Sequence, residues 1–203
     1  MDEPMISKFP QFLVAGLLGS ALCPGLWTTA ASAEDRYWSY GDWNVHVEGV
    51  DTGEDWRVTC TAWTGGDGDP SLRLSISNGD AGPPSDYPQV TLQESAPRGY
   101  DTQMQNGQAV TLIVDQSIDY YALVDGYFDE DGFLRADATV RWQDAPYVLI
   151  GMKSGSQMDV RLLSPVQAST RIYLASLKGF TAAYGKMMDS CGHSIVVTEP
   201  ALD

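Results

Sequence analysis

One stretch, SLKGFTAAYGKMMDSC at residues 176–191, constrains the fold more than any other. Phe180, Ala183, Tyr184, Met187, Met188 and Cys191 recur at steps of three and four. On a helix that spacing gathers them into one stripe. Lys178, Thr181, Lys186, Asp189 and Ser190 fall largely outside it. A cysteine at the end of an apolar stripe points inward with the stripe. This helix is therefore expected to close a core, with Cys191 aimed at an early part of the chain.

The partner follows from the N-terminus. Residues 12–26 carry no charge and are mostly apolar, and Ala31-Ser32-Ala33 has the A-x-A form of a cleavage site before Glu34. The run is short for a membrane span, and Pro24-Gly25 interrupts it. Asp2 and Glu3 make the leading segment acidic, which leaves Met1 and Met5 as alternative starts. Residues 1–33 thus read as a signal peptide, cleaved at about Ala33, and 34–203 as a single domain. The expected location is the periplasm, or the outer surface after secretion, with no stable membrane span in the mature chain. Cys23 leaves with the leader, and Leu22 directly before it argues against a lipid anchor there. Cys60 and Cys191 remain, an even pair in an oxidising compartment. A Cys60–Cys191 disulfide is the expectation, with two free buried thiols as the alternative.

Between these cysteines the pattern changes to period two. Trp43, Val45 and Val47 share a face, as do Trp56, Val58, Cys60 and Ala62, and then Leu72, Leu74 and Ile76. Val90 and Leu92, then Val110, Leu112 and Val114, continue the series. DYYALVDGYF, SQMDVRLL and TRIYLASL read as further strands, FLRADATVRW as a strand or irregular edge, and Ile195 to Val197 as a last edge strand. Tyr37 to Tyr40 is an aromatic lead-in. QDAPYVLIGMKSG reads as a short helix capped by Asp144, with Pro146 in its first turn, Lys153 in its last and Gly155 beyond. The predicted fold is mainly β with two helices in the C-terminal region, a single antiparallel β-sandwich or barrel-like domain.

Charge excludes one class of function. The chain carries a formal net charge of −15. Removing Lys8, Asp2 and Glu3 with the leader leaves −14. Phosphate backbones are bound by Lys and Arg, so no nucleic-acid partner is expected. Asp67 and Asp69 stand in an acidic turn without a bidentate acid at the distance a calcium loop needs. In VDGYFDEDGF, placing Gly132 at loop position six puts Tyr127 at position one and Ala138 at position twelve, and neither is a ligand. A hairpin turn with solvated acids fits better. His46 falls on a polar strand face with no second histidine or cysteine spaced to join it. Cys191 is expected to be oxidised, so Cys191-Gly192-His193 does not make a thiol site. Nucleophile-elbow, zinc-protease and nucleotide-binding motifs are absent. No catalytic residue, metal or cofactor is expected. The loops at 78–88 and 96–108, with Tyr87, Tyr100 and Tyr127, are the candidate contacts for a partner.

The C-terminal third also resembles a known family. A helix ending in Lys-Ser-Gly, two strands, then Ser176, Leu177, Gly179, Phe180 and Ala183 in SLKGFTAAYGKM resemble the invasion-associated locus B proteins of bacteria. YGDW at residues 40–43 and WRVTC at 56–60 are similar to that family's opening. The resemblance runs over roughly residues 40–190 and is dense after about 140. It implies a signal peptide, a periplasmic or surface location in a Gram-negative envelope, and a β-rich fold. In some members it implies a part in host-cell invasion, but no catalytic residues. Family members carry a second cysteine pair in the middle of the domain, which this chain lacks, and the loops at 78–88 and 96–108 are longer here. The expected function is a non-enzymatic envelope protein that binds an envelope or surface protein or a ligand. The alternative is a periplasmic enzyme or small-molecule binder with an unrecognised acidic site.

Overall fold

Alternation of apolar and polar side chains gives each strand one dry face, and the strands join into one sheet that covers those faces together. The structure, a computed structural model, describes residues 33–66, 70–79, 87–164 and 168–198. Residues 1–32 of the expected signal peptide at 1–33, the acidic pair Asp67 and Asp69, and residues 80–86 of the loop at 78–88 lie outside the described residues. Ten strands form a fully antiparallel sheet: β1 (Ala33–Tyr40), β2 (Trp43–Asp51), β3 (Trp56–Gly65), β4 (Ser71–Ser77), β5 (Gln89–Ser95), β6 (Ala109–Val114), β7 (Ile118–Phe128), β8 (Leu134–Val140), β9 (Gln157–Leu162) and β10 (Thr170–Ser176). Their order across the sheet is β1-β2-β3-β4-β5-β8-β7-β6-β9-β10. Two helices, α1 (Ala145–Ser154) and α2 (Phe180–Ser190), lie in the C-terminal region, as expected. Among the described residues no helix is long and apolar enough to cross a membrane.

The sheet curls until its C-terminal end meets its beginning. The Trp43 indole donates to the Ser176 carbonyl at 2.8 Å, and Asp42 N–H donates to the Lys178 carbonyl at 3.0 Å. Two glycines permit this approach. Gly41 (φ +60°) and Gly179 (φ +92°) both take left-handed backbone, and a Cβ on either would strike the other segment's main chain. YGDW and SLKGF, distant in sequence, are thus pressed together.

Trp43, Val45, Val47, Cys60, Ala62, Leu72, Leu74, Val90, Leu92, Val110 and Leu112 all face inward and are fully or nearly fully buried. Helix α2 packs its predicted stripe against β1, β2 and β3. Phe180 meets Trp43 edge-on, with ring centroids 4.8 Å apart. The Cys60–Cys191 disulfide is formed, with Cα atoms 6.0 Å apart, and ties the end of α2 to the middle of β3.

Several expectations are corrected. The aromatic lead-in is part of β1, an eight-residue edge strand paired only with β2. Trp56 is 40% exposed rather than core, because it stands at the end of β3 and folds its ring over Gly49. Residues 134–140 are an internal strand, between β5 and β7. No strand forms at Ile195 to Val197, where Ile195 and Val196 are exposed. Asp144 precedes α1 but makes no side-chain cap; Arg141 takes its carboxylate at 2.7 Å instead. Gly155 stands just beyond α1 as expected, in extended backbone, and is small because Val114 and Leu177 crowd it.

The loop at 96–108 is mostly exposed, as expected, but it is anchored by buried Ala96, Thr102 and Met104. Met104 is completely buried, and the Glu94 carboxylate accepts from the N–H groups of Gln103 and Met104 at 2.8 and 2.9 Å. The acids of the β7–β8 turn are not all solvated. Asp129 accepts from the N–H groups of Asp131 and Phe133 and pairs with Arg135 at 2.8 Å. Those contacts, led by the arginine, hold its pKa below the ordinary range.

Candidate functional site

The outward faces of β1 to β5, β8 and β7 carry the best-organised polar surface among the described residues. Register places it. Tyr37 pairs with His46 and His46 with Thr61, so these three form one row across β1, β2 and β3. Trp63 pairs with Arg73 in the next row, across β3 and β4. Together with Gly65, Gly66 and Ser71 they line a shallow groove of about 380 Å³.

The groove side chains are held in place. Tyr37 stacks on the His46 imidazole, with centroids 4.2 Å apart and an interplanar angle of 8°. His46 Nε2 is 2.9 Å from Asp35 Oδ1 across the strand pair. Arg73 Nη1 donates to Gln93 Oε1 at 2.7 Å, and Gln93 Nε2 donates to Asp137 Oδ1 at 3.0 Å. The Tyr127 hydroxyl donates to Asp137 Oδ2 at 3.0 Å, completing a relay over four strands. That bond, with further help from burial, raises the Tyr127 pKa. Ser71 gives its hydroxyl to the Gln93 carbonyl at 3.4 Å rather than to His46. The arrangement offers aromatic faces and oriented hydrogen-bonding groups.

The three candidate tyrosines separate. Tyr127, 41% exposed, joins the relay that ends in the groove. Tyr100, 71% exposed, borders a different depression with Pro97, Asp101 and Phe133. Tyr87 is half-buried against the core, and its hydroxyl donates to the Thr198 carbonyl at 3.2 Å and accepts from the Thr198 N–H at 3.3 Å. Tyr37, Trp63 and Arg73 were not singled out from the sequence. For Trp63 and Arg73 the available signal was their place on the polar side of period-two strands whose other side builds the core.

A second cluster lies farther along the outer face. Asp159, only 6% exposed, receives two bonds from Arg171 at 2.7 and 2.8 Å and two from Arg161 at 2.8 and 3.0 Å. Arg171 first, then Arg161, hold its pKa down at about 2, against the opposing effect of burial. With Ile113, Asp115 and Asp119 this cluster borders a depression of about 360 Å³. Its charges are spent on one another, so it reads as a clamp between β9 and β10. His193 contacts the Ser77 carbonyl at 2.8 Å, and the neighbouring Cys191 is disulfide-bonded, so the two form no thiol–imidazole pair.

No family model matches the chain, and no curated protein matches it. Among solved structures the chain is similar to the crystal structure of invasion associated protein b from Bartonella henselae, at 12% identity and a TM-score of 0.47, over 76% of this chain and 96% of that one. At that level the likeness concerns the fold and assigns no residue a role.

Proposed function

We propose that the chain is a non-enzymatic binding module of the periplasm or outer surface, which engages a partner protein or surface ligand through the outer face of β1 to β5, β8 and β7. One observation carries this reading. The exposed aromatic and polar side chains of that face are fixed by stacking and hydrogen bonds, in the Tyr37–His46–Asp35 and Arg73–Gln93–Asp137–Tyr127 groups. Immobilising a free surface side chain costs binding about 0.5–1.5 kcal/mol, and pre-ordering removes that cost. The A-x-A leader motif supports an extracytoplasmic location, as does a disulfide, which persists in oxidising compartments.

The test is affinity capture from periplasmic extract with residues 34–203, beside a Tyr37→Ala/Trp63→Ala/Tyr127→Ala variant of equal melting temperature. The expected result is a specific partner retained by the parent and lost by the variant. Equal retention by both would move the contact off this face. Recovery of nothing, together with turnover or a ligand-induced melting shift that the triple variant retains, would favour the enzyme alternative.

A further inference from the structure

Resting on the binding-face reading, we infer that the groove lined by Tyr37, His46, Thr61, Trp63 and Arg73 is a saccharide site for a short neutral oligosaccharide. Three features select that ligand class. The first is the aromatic pair. Tyr37 stacks one ring face on His46 and is 64% exposed. Trp63 is half-buried two strands away and one row along. Strand spacing and rise put the two about 12 Å apart on the pleated surface. That is the scale of two or three linked sugar rings, whose C–H faces pack on aromatic side chains.

The second feature is what lies between. Thr61, Ser71, Arg73 and His46 line the same groove and bring hydroxyl, guanidinium and imidazole groups to it. Asp35, the acid in contact with His46, is turned to that imidazole. A saccharide presents hydroxyls around its rim and apolar faces above and below, which this combination matches. Arg73 and His46 are both held by partners, so the remaining Arg73 donors and the second His46 ring nitrogen point in fixed directions.

The third feature is what the groove cannot take. It lies over one end of β3 and β4 and the neighbouring parts of β2 and the edge strand β1, and the main-chain groups of β2 and β3 are paired in ladders on both sides. A peptide cannot add as a strand within the groove, between β1 and β4. At about 380 Å³ and open to solvent, it does not enclose an apolar molecule, which needs most of its surface buried. A net charge of −15 disfavours a phosphate-rich ligand.

The test is titration of the disulfide-intact mature chain with chitotriose, cellotriose and maltotriose, followed by amide chemical shifts and tryptophan fluorescence. At least one trisaccharide, at millimolar concentration, should saturably shift the amides of Tyr37, Thr61, Trp63 and Arg73. Tyr37→Ala and Trp63→Ala should each weaken that binding at least about tenfold, equivalent to about 1.4 kcal/mol. Trp142→Ala, at an exposed position outside the groove, should leave it unchanged. The wild-type shift map needs no variant, so a misfolded substitution does not obscure the result. Absence of groove shifts with all three sugars, or equal binding by Trp63→Ala, overturns the saccharide assignment. If protein capture still depends on Tyr37 and Trp63, the binding face stands without it; if capture is also indifferent to them, both readings fall.

Discussion

Breaking the Cys60–Cys191 bridge should cost more than any other two-atom change in this protein. The residues are 131 positions apart, so the bridge closes nearly the whole domain into one loop. In the chain-entropy model a loop of that length restricts the unfolded state by about 5 kcal/mol, and removal of native bridges costs about 2–5 kcal/mol in practice. Cys60 is completely buried and Cys191 nearly so. Alanine at both positions avoids introducing a buried hydroxyl, so Cys60→Ala/Cys191→Ala isolates the bridge. It forfeits little packing, since each residue loses only its sulfur. Urea unfolding of the double variant should show a lower midpoint and a loss of about 2–5 kcal/mol. The wild type with reductant should move the same way. The m-value should rise, because the uncrosslinked unfolded chain exposes more surface. A loss below about 0.5 kcal/mol would refute the reasoning, and would mean that α2 is held by its apolar stripe alone.

Four further outcomes follow from the same structure. Gly179→Ala combines a positive φ, costing about 1–2 kcal/mol, with a Cβ driven into the Tyr40 carbonyl; a thermal melt should show a drop of at least about 3 kcal/mol. Gly185→Ala, inside α2 with open space for a Cβ, should instead gain about 0.5–1 kcal/mol in the same melt. Tyr184 is buried, its hydroxyl has no partner among the described residues, and burial lifts its pKa to about 12; Tyr184→Phe should leave stability unchanged or raise it by up to about 1 kcal/mol, and a loss above that would reveal a hydrogen bond to water. Asp159 has a folded pKa depressed from 3.8 to about 2, so its contribution is present above pH 3.8 and disappears as pH falls towards 2. Discounted for the exposure of its arginines, that contribution is about 1–2 kcal/mol. Asp159→Asn should therefore be less stable than wild type at neutral pH, with the gap narrowing between pH 4 and 2 in acid-unfolding curves. A constant gap would mean that the carboxylate's charge is immaterial.

The inner half of the molecule was legible because burial and periodicity give the same answer there. Leu72, Leu74 and Ile76 are apolar every second residue, and Phe180 to Cys191 every three or four, so each local pattern names its own buried face. Where one strand side meets water, the pattern weakens. AEDRYWSY alternates no clear apolar side, since β1 pairs along only one edge and most of its residues are exposed. Asp144 looked like a cap, but local sequence does not announce that Arg141 reaches its carboxylate first. Residues 96–108 form the exposed loop their composition suggests, but the burial of Met104 within it leaves no periodic trace.

The outer face was hidden for a related reason. Its organisation lives in strand pairing, and pairing register is a property of two segments at once. His46 could be placed outward from its own strand, but its contacts with Asp35 and Tyr37 exist only because β1 lies antiparallel at that register. The relay from Arg73 to Tyr127 is more distant still: it joins β4 to β7 through β5 and β8, in a strand order that departs from chain order. A core tolerates exchange among apolar residues of similar volume, so its pattern is redundant and readable. A face built from Tyr37, Asp35, Gln93 and Asp137 has no such redundancy, since each group is specified by the atom it meets on another strand. That difference makes conservative substitution on the outer face the sharper probe of function. Gln93→Glu keeps size and exposure but removes the amide donor to Asp137 and sets two carboxylates side by side. It should loosen the relay and weaken binding without unfolding the barrel, whereas a matching core exchange such as Leu92→Met should do neither.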